Sequence, residues 1–388
     1  MKGPDLSDPR FNVEDPELHL AALREECPVH FDHERSMWVL ARHGDVVAVS
    51  KDPQGFCSGR GVLIGDRSRA IAAADSLLYL DPPQHGRYRR LVSRAFTPRT
   101  VAGLEPSMRV LAAELLDAVD PAADTEMVDA FSAPIALLVI ARLLGIGEHD
   151  RDQLRRWSDA VMEAATDLND ENGALAAELL MFLDAQLDER ARRPADDLLT
   201  ALGDADVDGV RLTRDEQLGF CMTLFVAGNE TSRALISGGL VALAEHPDQR
   251  AALAADPTTI TDAVEELLRW VTPITAMART ATTGAVVGDQ RIAAGDYVVL
   301  SYLSANRDGA VFGCRADHLD VTRNPNPHVA FGFGEHYCLG AGLARLEARV
   351  AFEEVLSRFP HYELIGPVER PPSSLLRQIS RLPLRLQP

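Results

Sequence analysis

A cysteine in a glycine-rich loop is the residue of this sequence best suited to chemistry. Residues 331–340 read FGFGEHYCLG and deliver Cys338 to the first turn of a helix that the pattern predicts over 339–359. Glycines allow positive φ and a close approach of backbone to a flat ligand. A helix amino terminus directs free N–H groups and positive potential at a nearby sulfur, which is expected to favour thiolate over thiol. Cys338 is therefore a candidate metal ligand.

The remaining cysteines offer no competing metal site. The cysteines are odd in number, far apart and without C-x-x-C spacing, which fits a reducing compartment and argues against structural zinc. They are Cys27, Cys57, Cys221, Cys314 and Cys338. Considered alone, a cysteine beside a turn is more often a buried structural residue. A thiolate held by backbone N–H groups also suits a haem iron, because it pushes electron density toward O–O cleavage.

The loop as a whole resembles the haem-binding signature of the cytochrome P-450 superfamily, F-x-x-G-x-x-x-C-x-G, in its bacterial form F-G-x-G-x-H-x-C-L-G. The resemblance covers nearly the whole chain, with further motifs in family order. It implies that Cys338 is the proximal iron ligand of haem b (iron protoporphyrin IX). It also implies that Phe331, Gly332 and Gly340 belong to the haem-binding loop, and that the protein is a monooxygenase using O2.

A second motif lies in the middle of a long predicted helix. Residues 227–231, AGNET, resemble the family's oxygen-activation motif A-G-x-D/E-T. A glycine in a helix costs about 1 kcal/mol relative to alanine, so Gly228, after Ala227, is expected to permit a local distortion that admits water and dioxygen. The resemblance implies that Thr231 hydrogen-bonds the bound dioxygen and that Glu230 relays protons. Without the cysteine loop, a tolerated glycine and a helix-facing threonine would be the better interpretation.

A third motif supplies cationic side chains. Residues 81–90, DPPQHGRYRR, open a basic helix on which His85 and Arg89 share a face, a geometry suited to binding carboxylates. The resemblance assigns both to the haem propionates, together with Arg279 and His336. Each of these residues taken singly would more often lie on a solvated surface.

A Glu-x-x-Arg pair precedes the cysteine by about seventy residues. Three-residue spacing stacks Glu266 and Arg269 on one helix face, although most such pairs are solvated and contribute little. The position of the pair, and the similarity of residues 316–323 to the family segment that supplies a second arginine, imply a structural network of Glu266, Arg269 and Arg323.

Periodicity predicts a mainly helical chain. The longest helix is expected over 214–246, capped by Thr213 and followed by Pro247, with residues 220–227 buried on all faces. Helices dominate 84–270, a short one is expected at 18–26, and strands are expected at 29–32, 38–41, 275–281, 285–287, 291–292 and 297–301.

One domain over residues 1–388, mainly α with small β-sheets, is the predicted organisation. The resemblance implies the P-450 fold, a triangular helical prism with haem buried between the long central helix and the cysteine-bearing helix.

Charge and composition exclude several classes of protein. The formal net charge of -19 disfavours nucleic acid as a partner. The amino terminus carries no apolar run suited to a signal peptide or membrane anchor, so a cytoplasmic protein, taken to be a monomer, is expected. G-x-S-x-G and H-E-x-x-H are absent from the sequence, which argues against common hydrolase and metalloprotease classes.

Electrons are expected to come from another protein, since the sequence shows no flavin, iron–sulfur or nicotinamide motif. The resemblance implies a ferredoxin and an NAD(P)H-dependent ferredoxin reductase. Four arginines could steer an acidic donor or could equally form a solvated face: Arg87, Arg90, Arg94 and Arg99.

The resemblance places the substrate pocket at the loop between Phe56 and Tyr79, at Thr223 and Ala227, and at 272–277 with Ile274 and Thr275. These small or apolar residues suit a steroid, terpenoid, fatty acyl chain or macrolide precursor. Three functions remain open at this point: an O2-dependent monooxygenase that hydroxylates or epoxidises such a molecule, a peroxygenase, and a haem-thiolate sensor or carrier. The intact acid–alcohol pair favours the first.

Overall fold

Helices occupy most of the chain between residues 84 and 271. The structure is a computed structural model in which residues 5–13, 16–64, 76–93, 96–146, 151–166, 169–207 and 209–387 are described. The α-helices of these residues are α1 Glu17–Glu26, α2 His43–Ser50, α3 Gln84–Ser93, α4 Pro98–Asp117, α5 Ala133–Leu144, α6 Arg151–Thr166, α7 Asp170–Arg192, α8 Leu198–Gly203, α9 Arg214–Glu245, α10 Pro247–Ala255, α11 Ile260–Val271, α12 Tyr302–Ala305, α13 Gly309–Phe312 and α14 Ala341–Arg358.

Short strands complete the fold. They are β1 Val29–Asp32, β2 Met37–Leu40, β3 Phe56–Cys57, β4 Thr125–Glu126, β5 Asp206–Val207, β6 Val210–Arg211, β7 Ala276–Ala281, β8 Ala285–Val287, β9 Gln290–Ile292, β10 Tyr297–Ser301, β11 His361–Leu364 and β12 Pro383–Gln387. The largest sheet has the order β1-β2-β10-β7-β3, in which only the β2–β10 pair is parallel. The remaining strands form a three-stranded sheet, β11-β12-β4, and two hairpins. The predicted fold class, mainly α with small β-sheets, is confirmed.

The central helix α9 has the ends that the sequence predicts. The Thr213 side chain accepts from the Glu216 N–H, and the Glu216 carboxylate accepts from the Thr213 N–H, which forms a capping box. Pro247 then begins α10. At about 1.5 Å per residue, a helix of this length spans about 48 Å. It packs against α5, α11 and α14 and therefore organises the helical core.

Burial along α9 differs from the prediction. Ala227 is exposed and Thr223 is half-buried, whereas the stretch from Ala234 to Leu243 is buried on every face. The apolar run at 220–227 predicted complete burial because periodicity cannot distinguish packing against protein from exposure along one side. The fully enclosed part lies beyond the oxygen-motif residues, where α11 and α14 cover the helix.

None of the described helices combines the length and apolarity that a membrane span requires.

Candidate active site

The cysteine loop is closed by backbone hydrogen bonds. The Cys338 N–H donates to the Phe331 carbonyl at 2.9 Å, and the Ala341 N–H donates to the Cys338 carbonyl at 3.4 Å. The sequence predicted Cys338 in the first turn of the helix. Because α14 begins at Ala341, the cysteine instead lies three residues before the helix. The loop is thus a bend leading into α14, with the N–H of Gly340 directed at the sulfur.

Two glycines of the loop have a backbone conformation that other residues rarely adopt. Gly332 has φ of 69° and Gly334 has φ of 72°. A Cβ on Gly334 would lie 2.2 Å from the Ser50 carbonyl oxygen at the end of α2. Gly340 is different, since a Cβ there would meet only Phe96, at 4.0 Å. Protein packing therefore does not require a glycine at 340, and the space beside this residue is open to a ligand.

The charge state of Cys338 is not decided by the loop alone. Burial raises the pKa of the Cys338 thiol, while the Gly340 N–H and the charges of Arg89 and Arg345 lower it. Burial has the largest effect, so the prediction that the loop by itself favours the thiolate is wrong. The helix end was expected to stabilise the anion, but α14 starts three residues later. A bound metal cation deprotonates a coordinating thiol outright.

Two arginines and two histidines from distant parts of the chain converge beside the loop. His85 is buried in α3, and its ring centroid lies 4.2 Å from that of His336. Arg89, one turn along α3, donates to the Tyr337 carbonyl at 2.6 Å. Arg279 of β7 is 5 % exposed, and its charge acts on both imidazoles. The third motif, β7 and the cysteine loop thus meet at one place.

The positive charge of this cluster comes from its two arginines, since both histidines are neutral near pH 7, and the Glu335 carboxylate lies 3.9 Å from His85 Nδ1. Burial and the charges of Arg89 and Arg279 lower the pKa of His85 to about 4, against an opposing effect of Asp81. Burial, Arg279, His85 and Arg89 lower the pKa of His336 to about 3. Among the described residues, His85 Nε2 is buried and has no hydrogen-bond partner. A ligand with two carboxylates would supply the missing acceptor at His85 Nε2 and charge-assisted hydrogen bonds to Arg89 and Arg279, so these residues fit a haem bearing two propionates.

Sequence reasoning missed Ser58 and assigned no role to Asp81, the first residue of the third motif, although both contact this cluster. The Ser58 hydroxyl lies 3.1 Å from His336 Nε2. The Asp81 carboxylate accepts from the N–H groups of Ser58 and Gly59 at 2.7 and 3.0 Å. Asp81, the first residue of the D-P-P-x-H segment, therefore fixes the backbone of Ser58 and Gly59, which lie 23 and 22 residues earlier in the chain, and Ser58 contacts His336.

The oxygen-motif residues lie on an uninterrupted stretch of α9. The helix continues through Gly228, and a Cβ on Gly228 would lie 2.7 Å from Ile140 Cδ1 of α5. The predicted distortion at this glycine is therefore not seen, and a larger residue here would have to displace the end of the Ile140 side chain. The Thr231 hydroxyl donates to the Ala227 carbonyl at 2.7 Å, a bond within the helix.

Glu230 is buried within a set of hydrogen-bond donors. Its Oε1 accepts from Ser158 at 3.3 Å and from Asn229 at 3.1 Å, and its Oε2 accepts from Gln378 at 2.6 Å. Arg233 Nη1 lies 3.6 Å from Oε2. Sequence reasoning missed Ser158 and Gln378, since they precede and follow Glu230 by 72 and 148 residues. No local signal links positions so far apart.

The surroundings of Glu230 favour its protonated form relative to free glutamic acid. Burial raises the pKa of Glu230, the charge of Arg233 lowers it, Asp159 raises it, and the Ser158 hydrogen bond lowers it. Arg233 Nη1 also lies 3.8 Å from the Asp159 carboxylate, whose side chain is 45 % exposed. Arg233 and Asp159 therefore connect the buried acid to solvent.

The Glu-x-x-Arg pair forms a buried ion network. Glu266 and Arg269 have 0 % exposed side chains and make two hydrogen bonds of 2.7 Å. Arg323 Nε donates to Glu266 Oε2 at 3.1 Å. Arg269 also donates to the carbonyls of Asn306 and Ala316 at 2.8 and 2.7 Å. The network holds the segment that precedes the cysteine loop against α11.

Replacing Glu266 with glutamine should destabilise the fold, because it leaves the Arg269 charge buried without its partner. The expected loss in the free energy of unfolding is about 3 to 5 kcal/mol, measured by urea denaturation. The control is Glu369→Gln, which breaks the half-exposed pair with Arg381 at 3.1 Å and should cost less than about 1 kcal/mol. Similar losses for the two variants would contradict a structural role for the network.

The residues predicted to line the substrate pocket differ in their burial and hydrogen bonding. Thr223 lies on α9, where its hydroxyl donates to the Gly219 carbonyl at 2.8 Å, and Ile274 is half-buried. The Thr275 hydroxyl is already used, since it donates to the Leu375 carbonyl at 3.2 Å and accepts from Asn12 at 3.3 Å. Thr275 therefore offers no free hydroxyl to a substrate. Residues 65–75 of the predicted pocket loop lie outside the described residues.

A separate cavity of about 760 Å³ lies beside α1, β1 and β2. It is lined by Phe31 and Trp38 among others and shares no residue with the cysteine loop or the cationic cluster. We do not take this cavity as the candidate active site, because the groups capable of chemistry converge at Cys338 instead.

Comparison with known proteins agrees with this geometry. The family model described as Cytochrome P450 matches residues 149–386. A relative named Cyclomarin C epoxidase CymV, from Salinispora arenicola, is 38% identical over 358 residues, which is 90% of each chain.

Solved structures agree as well. Cytochrome P450 CYP109Q5 from Chondromyces apiculatus matches with a TM-score of 0.90 at 36% identity, covering 100% of this chain and 98% of that one. CYP109E1 from Bacillus megaterium in complex with testosterone matches with a TM-score of 0.88 at 30% identity, covering 97% of this chain and 100% of that one. The chain belongs to the cytochrome P450 family and is a monooxygenase of the haem-dependent type.

Proposed function

We propose that this protein uses haem b to insert one oxygen atom of O2 into an apolar small molecule, by hydroxylation or epoxidation. The observation that carries the proposal is the combination of the Cys338 loop with an intact Glu230–Thr231 pair on α9. The loop suits a haem-thiolate enzyme, and the acid–alcohol pair suits one that takes its oxygen from O2. We also infer that residues 1–388 act as a single unit.

Cys338 would hold the iron, and His85, Arg89, Arg279 and His336 would hold the propionates. The haem, when bound, supplies the activation of dioxygen. The protein's contribution is orientation and charge. The Arg89 and Arg279 guanidiniums would pair with the two carboxylates, and each charge-assisted hydrogen bond would help to hold the ring in place.

Glu230 and Thr231 would supply protons. A buried acid whose pKa is raised retains a proton at higher pH than free glutamic acid, which suits a donor working near neutral pH. Asp159 and Arg233 offer a route for its reprotonation from solvent. The Thr231 hydroxyl, which donates to the Ala227 carbonyl, can turn to donate to oxygen at the site, since it makes only this short helical bond among the described contacts.

An apolar substrate is supported by the small and apolar residues at the predicted pocket positions, Thr223, Ala227 and Ile274. It is also supported by the relatives, one named as an epoxidase of cyclomarin C and another solved with testosterone. A screen of steroids, terpenoids, fatty acids and macrolides for a substrate-induced change in the iron spin state would identify the compound class.

We propose a ferredoxin, reduced by an NAD(P)H-dependent reductase, as electron donor to a cytoplasmic monomer. Arg87 and Arg90 lie on α3 and Arg99 lies on α4, while Arg94 lies outside the described residues. Arg90 is exposed and close in sequence to Arg89, which contacts the cysteine loop. If this patch steers an acidic donor, added salt and Arg90→Glu should both slow the reduction. Unchanged reduction rates would indicate a solvated arginine face.

Measurement of product formation distinguishes an O2-dependent monooxygenase from a peroxygenase and from a haem-thiolate sensor or carrier. A substrate found in the screen would be supplied with either ferredoxin, reductase and NAD(P)H, or with hydrogen peroxide alone. Product formation that depends on O2 and NAD(P)H is expected. Efficient product formation only with peroxide would indicate a peroxygenase, and tight binding without product under both conditions would indicate a sensor or carrier.

A further inference from the structure

The segment from Leu375 to Gln378 is bound by its backbone to the predicted pocket wall. The Thr275 N–H donates to the Leu375 carbonyl at 2.9 Å, and the Arg377 N–H donates to the Pro273 carbonyl at 2.9 Å. Ile274 and Leu376 form a β-bridge between these two bonds. Two backbone hydrogen bonds and one bridge thus join residues 375–377 to residues 273–275.

Gln378, the next residue, reaches the acid of α9. Its side-chain Nε2 donates to Glu230 Oε2 at 2.6 Å, the shortest of the hydrogen bonds to this carboxyl. Ser158 and Asn229 donate to the other oxygen. Both oxygens are thus held by neutral donors from three parts of the chain, which fixes the plane of the carboxyl group.

The effect of removing the Gln378 amide on the proton affinity of Glu230 depends on the other groups around this carboxyl. The charged groups that act on it among the described residues are Arg233 of α9 and Asp159 of α6, with opposite effects. Ser158 and Gln378 contribute neutral donors from α6 and from the carboxy-terminal segment. A donor to a carboxylate stabilises the charged form, so removal of the amide makes the buried carboxylate less stable relative to the carboxylic acid.

We propose that Gln378 is a positioning residue for Glu230 and that it ties the orientation and proton affinity of this acid to the segment backing the pocket wall. The inference rests on the proposed function, in which Glu230 supplies protons. It adds a link between the wall of the pocket and the proton supply. Displacement of residues 273–275 by a substrate would move Gln378 and thereby change the readiness of Glu230 to release its proton.

The first test measures the proton affinity of Glu230 directly in the haem-loaded protein. Infrared titration of the carboxylic acid C=O stretch, with the Glu230 band assigned from its loss in Glu230→Gln, gives the midpoint. Gln378→Leu should raise the midpoint by about one pH unit, a tenfold change in the dissociation constant. The matched control is Ser380→Ala on the same segment, which bonds to the Glu369 carbonyl and should leave the midpoint unchanged.

An unchanged midpoint in Gln378→Leu would overturn the proposal. If this variant folds poorly, Gln378→Glu replaces it. A second carboxyl beside Glu230 should split the titration into two steps and raise the higher midpoint above that of the wild type, because the two adjacent carboxylates share one proton. A midpoint equal to that of the wild type would again overturn the proposal.

The second test measures the link to the pocket wall. Leu376→Ala shortens a side chain that is 4% exposed and adjacent to Ile274. It should shift the Glu230 midpoint in the wild type and produce no further shift in the Gln378→Leu background. Additive shifts, or no shift in either background, would reject the link.

These results are separable from failure of the proposed function. The Soret band of the reduced, carbon monoxide-bound protein tests the haem-thiolate assignment independently. A normal thiolate band together with an invariant Glu230 midpoint rejects only the role of Gln378. Absence of the thiolate band in the wild-type protein rejects the proposed function.

Discussion

Replacing Cys338 with serine should abolish the thiolate signature in the Soret band of the reduced, carbon monoxide-bound protein. The signature requires an anionic sulfur bound to iron. A serine hydroxyl is a far weaker acid than a thiol, and burial at this position already raises the pKa of the natural thiol. Monooxygenase turnover should be lost with the band.

The fold should survive this substitution. The shape of the loop depends on the Cys338 N–H, which donates to the Phe331 carbonyl, and on the positive φ of Gly332 and Gly334. Serine preserves the backbone donor and the approximate side-chain size. Circular dichroism and urea denaturation should therefore show a change of less than about 1 kcal/mol in the free energy of unfolding.

Cys314→Ser is the matched control for Cys338→Ser. Cys314 is exposed and lies outside the loop, so its replacement should leave both spectrum and turnover unchanged. A normal thiolate band in the Cys338→Ser protein would refute the assignment of the iron ligand.

Replacing Thr231 with alanine should divert reducing equivalents from product to hydrogen peroxide. The hydroxyl is the only proton-donating group that residue 231 offers, and it follows directly after the buried Glu230. Removal of a positioned proton donor typically costs about 10²-fold or more in the step it serves. The ratio of product formed to NAD(P)H consumed should fall by about tenfold or more, while substrate binding, measured by the spin-state change, remains.

Thr231→Ser retains the hydroxyl and serves as the control. It should keep most of the coupling, since a serine hydroxyl can also donate to the Ala227 carbonyl and turn toward the site. Peroxide is measured together with product and NAD(P)H in each protein. Fully coupled product formation in Thr231→Ala would contradict the proposed role of this residue.

Local chemistry explains why much of the secondary structure could be predicted. Thr213, Glu216 and Pro247 are side-chain and backbone signals that act within a few residues, so they mark the ends of α9 to within one residue. The strands at 285–287 and 297–301 were predicted with the same bounds as β8 and β10. Two-residue strands such as β3 and β4 show no periodicity of their own, because they form only against partners elsewhere in the chain.

The loop and oxygen motifs show where local reasoning stops. Gly228 was expected to distort α9, but its neighbour is Ile140 of α5, which no pattern around residue 228 reveals. The thiolate was expected from a helix end, but the balance at Cys338 is dominated by burial, a property of the assembled protein. In both cases the physical reason that the sequence suggested differs from the one in the structure.

The sequence by itself determined the chemical groups and the family, because Cys338, Glu230 and the Glu-x-x-Arg pair are recognisable from residue type and spacing along one segment. Only the tertiary structure decided which groups meet. His85, Arg279 and His336 come from three separate segments, and Gln378 reaches Glu230 across 148 residues. Side-chain proximity between distant segments depends on how helices and sheets pack, and burial and proton affinity depend in turn on that packing.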